Sequence, residues 1–156
     1  MKNLIYLVAL ITAAALSAQP ALNVDNLKQI GDQYERYSFD TTDVDAGQAG
    51  AGITWDFTDL SVQMSGTSPF TVEVVDPSQA SNNNRFPDAD MAEKTDTAYT
   101  FYQLEGNDLI RLGTGFDGGV EVLTDPQYEM KIPTTYQTNW TDAFEGKYEV
   151  MGQEMD

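Results

Sequence analysis

Asp40, Asp43 and Asp45 lie in the run Asp40-Thr41-Thr42-Asp43-Val44-Asp45-Ala46-Gly47. Alternate carboxylates ahead of a glycine suit calcium, because the side chains converge on one ion while glycine permits the sharp turn. These three aspartates are therefore the metal-ligand candidates, and a structural calcium is the one cofactor the chain suggests. A full EF-hand loop also needs a third oxygen ligand before the glycine and a later Glu in register, and both are missing. Asp88, Asp90 and Asp117 are further loop carboxylates able to share an ion; solvated turns explain the same residues.

Gly113-Thr114-Gly115-Phe116-Asp117-Gly118 fits the spacing G-x-G-x-x-G. That fingerprint holds a pyrophosphate only where a strand runs into a helix, whose first N–H groups face the phosphates. Here Val120-Glu121-Val122-Leu123 follows and reads as a strand, so a glycine-rich hairpin loop is expected.

Histidine and cysteine are both absent. Ser–His–Asp triads, cysteine nucleophiles and thiolate or His-ligated zinc sites all lose a required part. Carboxylates, Tyr, Lys and hydroxyls remain. A pair of carboxylates about 5–10 Å apart hydrolyses glycosides, but with 25 acidic residues some pair always exists. No catalytic residue is singled out. Asp56 and Asp142 each neighbour a Trp, which suits a sugar site, yet the alternation of the strands places Trp55 and Trp140 in the core. Asn139-Trp140-Thr141 is a formal N-glycosylation sequon.

The elements that carry these residues are strands. Ile53, Trp55 and Phe57 alternate with Thr54, Asp56 and Thr58, and Phe70, Val72 and Val74 alternate with Thr71 and Glu73. A period of two puts one face of each run inward. Tyr99 and Phe101 share one face, and Thr100, Tyr102 and Leu104 the other. Gly106-Asn107 then suits a tight hairpin leading into residues 109–112. Residues 33–39, 120–124, 128–132, 140–144 and 147–151 read as further strands, with Tyr37 and Phe39 inward. Residues 25–30 give a short helical hint. Residues 77–96 show no apolar period and read as a long surface loop. Many short strands with turns between them argue for an all-β fold, an antiparallel β-sandwich of immunoglobulin or jelly-roll type.

The N-terminus is different. Lys2, an apolar run over residues 4–16, and then Ser17 and Ala18 form a signal-peptide pattern, a helix cleaved after Ala18 or Ser17. The run is short for a bilayer span, which needs about 20 apolar residues, so no membrane insertion is expected after cleavage. The division is a signal peptide over 1–18 and a single β-rich extracellular domain over 19–156. The net charge of −17 opposes nucleic acid and anionic membranes as partners. Cations, basic proteins and neutral ligands such as glycans remain. Residues 147–151 resemble a strand just starting, with no closing turn or paired strand after it. The chain thus reads as incomplete at its C-terminus, with an unpaired edge.

Several phrases carry a family likeness: Gln29-Ile30-Gly31-Asp32, Asp40-Thr41-Thr42, Gly50-Ala51-Gly52-Ile53-Thr54-Trp55-Asp56-Phe57-Thr58-Asp59-Leu60, Phe86-Pro87, Tyr99-Thr100-Phe101-Tyr102, Thr124-Asp125-Pro126 and Ile132-Pro133-Thr134-Thr135-Tyr136-Gln137-Thr138. With them the chain resembles the N-terminal region of secreted Bacteroidetes-type proteins that end in a type IX secretion sorting domain. The resemblance implies a β-rich region exported through the periplasm to the outer-membrane surface or the medium. Its partner would be the type IX export machinery, engaged through a C-terminal region missing here. It carries over no site residue. The expected function is a non-catalytic binding or adhesion module for glycans or surface proteins, its loops 40–52, 77–96 and 113–119 displayed on a rigid frame. The alternatives are part of a carboxylate-dependent extracellular hydrolase of the glycoside class, or a structural spacer without a ligand.

Overall fold

The computed structural model describes residues 21–37, 69–135 and 138–155. The signal-peptide segment, Trp55, and Asp40, Asp43 and Asp45 lie outside the described residues. The 53–58 alternation lies outside the described residues; within them the strands are β1 (Gln33–Arg36), β2 (Phe70–Val75), β3 (Met91–Lys94), β4 (Ala98–Glu105), β5 (Asp108–Phe116), β6 (Gly119–Met130), β7 (Glu145–Val150) and β8 (Gln153–Met155). They make one eight-stranded antiparallel sheet, each strand beside its neighbour in sequence. The fold is all-β.

Turn chemistry joins the strands. Glu105 pairs with Asp108 across Gly106-Asn107, and Gly106 takes a φ of +66° as a tight hairpin requires. Asp117-Gly118 likewise closes Phe116 onto Gly119. The 120–124 and 128–132 runs belong largely to the single strand β6. The register of β6 against β5 shifts between Arg111 and Gly113, opposite residues 123–126. Pro126, which has no N–H to donate, falls in that irregular stretch.

Both faces of the middle strands are covered, while β7 and β8 are largely exposed. On the first face Ala92, Phe101 and Val120 pack with Ala80 and Phe86, and Phe86 stacks on Phe101 with ring centroids 4.1 Å apart. On the second, Val74, Met91, Tyr102 and Leu109 pack with Leu27 and Tyr34 from the N-terminal segment. That segment is tied down by Gly31 N–H donating to the Val74 carbonyl and Val74 N–H to the Asp32 carbonyl, both 2.8 Å. Tyr99 and Phe101 do share the first face, and Tyr102 and Leu104 the second.

Six expectations are corrected. Residues 77–96 are not a surface loop. They contain 3-10 turns at Pro77–Gln79 and Asn83–Arg85, the buried Ala80 and Phe86, and the inner strand β3. Met91, Ala92 and Glu93 are all buried, so β3 has no exposed face to create an alternating pattern. Residues 140–144 form no strand, because the Asp142 carboxylate accepts the Tyr128 N–H at 2.7 Å, a place a ladder carbonyl would otherwise fill. Trp140 is half-buried rather than in the core. The 147–151 run does have a closing turn: Met151 and Gly152 take φ of +50° and +78°, and β8 pairs with β7. The strand is hydrogen-bonded on both sides, so the unpaired edge lies elsewhere. Finally, Tyr37 is 43% exposed, not inward, and the helical hint at 25–30 is a 3-10 turn at Val24–Asn26.

Candidate functional site

The glycine run turns out to serve packing. Gly113 and Gly115 lie on the first face of β5, beneath the 77–90 segment. A Cβ at Gly113 would strike the Glu121 carbonyl oxygen and come within 2.7 Å of the Phe86 ring. One at Gly115 would come within 3.0 Å of the Asn82 side chain. The bare backbone thus provides a flat seat on which Asn82 and Phe86 rest. No helix follows Gly118, so the hairpin reading holds and the nucleotide fingerprint has no context.

Seating the 77–90 segment there brings it beside two hairpin turns. The result is an open trough of about 400 Å³, whose walls include Ser81, Asp96, Tyr99, Phe116 and Asp117. Two of the three loop regions expected to carry function, 77–96 and 113–119, meet in it; the third lies outside the described residues. Glu73, Lys94 and Tyr99 are successive cross-strand neighbours on its floor. The Lys94 ammonium donates to the Glu73 carboxylate at 2.8 Å, and this pulls the lysine pKa up. The two charges cancel locally. The 95–98 turn on the rim is held by Thr95 N–H donating to the Ala98 carbonyl at 2.9 Å. A neighbouring hollow of about 290 Å³ shares Ser81, Phe116 and Asp117 and is bounded by the Arg85–Glu149 ion pair at 2.7 Å.

The second face carries a different arrangement that strand patterns did not reveal. Val74, Glu93, Thr100, Thr114, Glu121, Tyr148 and Met155 are successive cross-strand partners, one row across β2 to β8. Glu93 and Glu121 are both buried. Glu93 accepts from the Lys28 ammonium at 2.7 Å, from the Tyr34 hydroxyl, and from the Tyr102 hydroxyl at 3.1 Å. Burial pushes its pKa up, but these three hydrogen bonds and the lysine charge prevail and hold it below the usual value. The same burial, with the Glu93 carboxylate beside it, pushes the Tyr34 hydroxyl up to about 12 and Tyr102 higher still. Glu121 accepts from Arg111 and, at 2.8 Å, from the Tyr148 hydroxyl.

These two carboxylates do not form a hydrolytic pair. Three strand spacings separate them along the row, roughly 14 Å, beyond the 5–10 Å a glycosidase pair spans. Of the further loop acids, Asp90 accepts the Leu104 N–H at 2.8 Å and Asp117 sits in the β5–β6 turn. Among the described residues no group of three or more acids is placed to hold a metal ion.

Comparison with family models, with curated proteins and with solved structures finds no match to this chain.

Proposed function

We propose that this protein is a non-catalytic binding module that takes a neutral polar ligand, of the glycan class, in the trough beside the β3–β4 and β5–β6 turns. One observation carries the reading: Tyr99 and Phe116 line a single open groove together with Ser81, Asp96 and Asp117. A sugar ring has an apolar C–H face and a polar rim, so it needs both kinds of partner. The floor charges of Glu73 and Lys94 are already paired with each other, which favours an uncharged guest over an ion. The groove rests on a sheet, so its turns are held in fixed register.

Within this reading the protein is secreted or displayed at the cell surface. Support comes from the signal-peptide pattern of residues 1–18, the acidic composition and the type IX resemblance. The sheet would be one layer of a sandwich, a reading supported by the alternation of Ile53, Trp55 and Phe57 in the sequence. A structural calcium at Asp40, Asp43 and Asp45 rests on the spacing of those residues alone.

A glycan array followed by titration calorimetry tests the site. Binding of one or more neutral oligosaccharides is expected, with Tyr99→Ala and Asp117→Ala each weakening it at least about tenfold. Well-folded protein that leaves the array blank, or binding that both substitutions leave untouched, would overturn the assignment.

A further inference from the structure

Lys28 sits in surroundings that look like a ligand's. Its ammonium lies 3.3 Å from the centroid of the Tyr102 ring and 2.7 Å from a Glu93 carboxylate oxygen. The Tyr34 and Tyr102 hydroxyls both donate to the same carboxylate and so fix its orientation. An aromatic face, a carboxylate and a desolvated setting are the parts from which proteins build receptors for ammonium groups. The lysine side chain is 15% exposed and the glutamate 8%. The receptor is supplied by β1, β3 and β4, whereas the guest comes from the irregular segment before β1. That segment is anchored on either side of Lys28, by the Leu22–Thr134 bridge and by the Gly31 and Asp32 bonds to Val74.

We propose that Glu93, Tyr102 and Tyr34 form a binding site for a primary alkylammonium group, filled in the free protein by its own Lys28. The anchored segment gives Lys28 a high effective concentration, so a free amine competes poorly while the lysine is present. Removing the lysine side chain vacates the site without altering any receptor residue. Arg36, whose guanidinium lies 3.6 Å from Glu93, is the neighbouring cation that would compete for the carboxylate. Its side chain is half-exposed, and its guanidinium lies by the Tyr34 and Phe70 rings, 5.9 and 5.7 Å from their centroids, rather than over Tyr102.

Thermal unfolding of full-chain Lys28→Ala in n-butylammonium chloride is the test. The midpoint should rise by about 3–6 °C at tenfold above the dissociation constant. Wild type should stay unmoved over the same range, and so should Lys28→Ala/Glu93→Gln. Sodium chloride at equal ionic strength and n-butanol should give no such rise. Where Lys28→Ala does not fold, Lys28→Met keeps the stem packed and vacates only the ammonium position, and ammonium chloride replaces butylammonium chloride as the probe. A rise that sodium chloride or butanol reproduces, or no rise in either variant, overturns the proposal.

Discussion

On the first face of the sheet, Phe86 lies stacked on Phe101 over a seat of bare glycine backbone, and the residues buried there are apolar. On the second, a carboxylate at Glu93 joins β3, β4 and the N-terminal segment, and a second carboxylate at Glu121 joins β5, β6 and β7. The first face is held by area and shape, which depend little on pH or salt. The second relies on buried charge, which costs desolvation and recovers it only while every partner is in place. One sheet thus carries two kinds of adhesion, and each fails in its own way.

The largest effect should come from the apolar face. Phe101 is fully buried. Phe101→Ala is expected to lose about 3–5 kcal/mol through lost transfer energy and the cavity left under Phe86. Urea unfolding at low and at high salt should give the same loss. A loss that shrinks markedly in salt would mean that the first face also depends on charge, and the contrast would collapse.

Glu93→Gln should come next, at about 3 kcal/mol, because Lys28 would remain buried without its counter-charge. Its pH dependence separates the faces. Glu93 has its pKa lowered in the folded protein, so its contribution is complete above the unfolded value of about 4. That contribution fades as the pH falls through the lower folded value. The stability gap between wild type and Glu93→Gln should therefore be constant near neutrality and narrow in acid, whereas the gap for Phe101→Ala should not. Parallel acid titrations of both variants by chemical unfolding check this, and a Glu93 gap unchanged in acid would refute the role of the charge.

The two faces were unequally legible in the sequence. β2 and β4 could be read because Val72 with Val74, and Tyr99 with Phe101, recur at a period of two, and β5 because it follows the Gly106-Asn107 turn. The Gly106-Asn107 turn could be read because few dipeptides tolerate its geometry. β3 could not, since its buried positions include the charged Glu93, so polarity and exposure do not alternate together along Met91–Lys94. Glu93 was unreadable for a second reason: its partners Lys28 and Tyr34 lie 65 and 59 residues away, and only the folded sheet brings them together. The glycine run reads as a hairpin, but its use as a seat for Phe86 depends on residues 77–90, which show no apolar period. The stretches 77–96 and 113–119 stand apart in the sequence. That they meet follows from that same seating, which no local pattern encodes.

The smallest effect should come from the second carboxylate, and it bears on whether Glu93 and Glu121 are equivalent. Glu121 is bound by Arg111, ten residues away on the neighbouring strand, and by Tyr148, whose side is 47% exposed. Hydrogen bonding to Glu121 raises the Tyr148 pKa. Because water reaches this tyrosine, Tyr148→Phe should cost less than about 1 kcal/mol. Tyr102→Phe, which strips a hydroxyl from the buried Glu93, should cost more, about 1–3 kcal/mol. Urea midpoints of the two variants, measured side by side, decide the matter. Equal losses would mean that the row behaves as one network, with burial at Glu93 adding nothing; unequal losses would locate the charge dependence of the second face where the N-terminal segment closes over it.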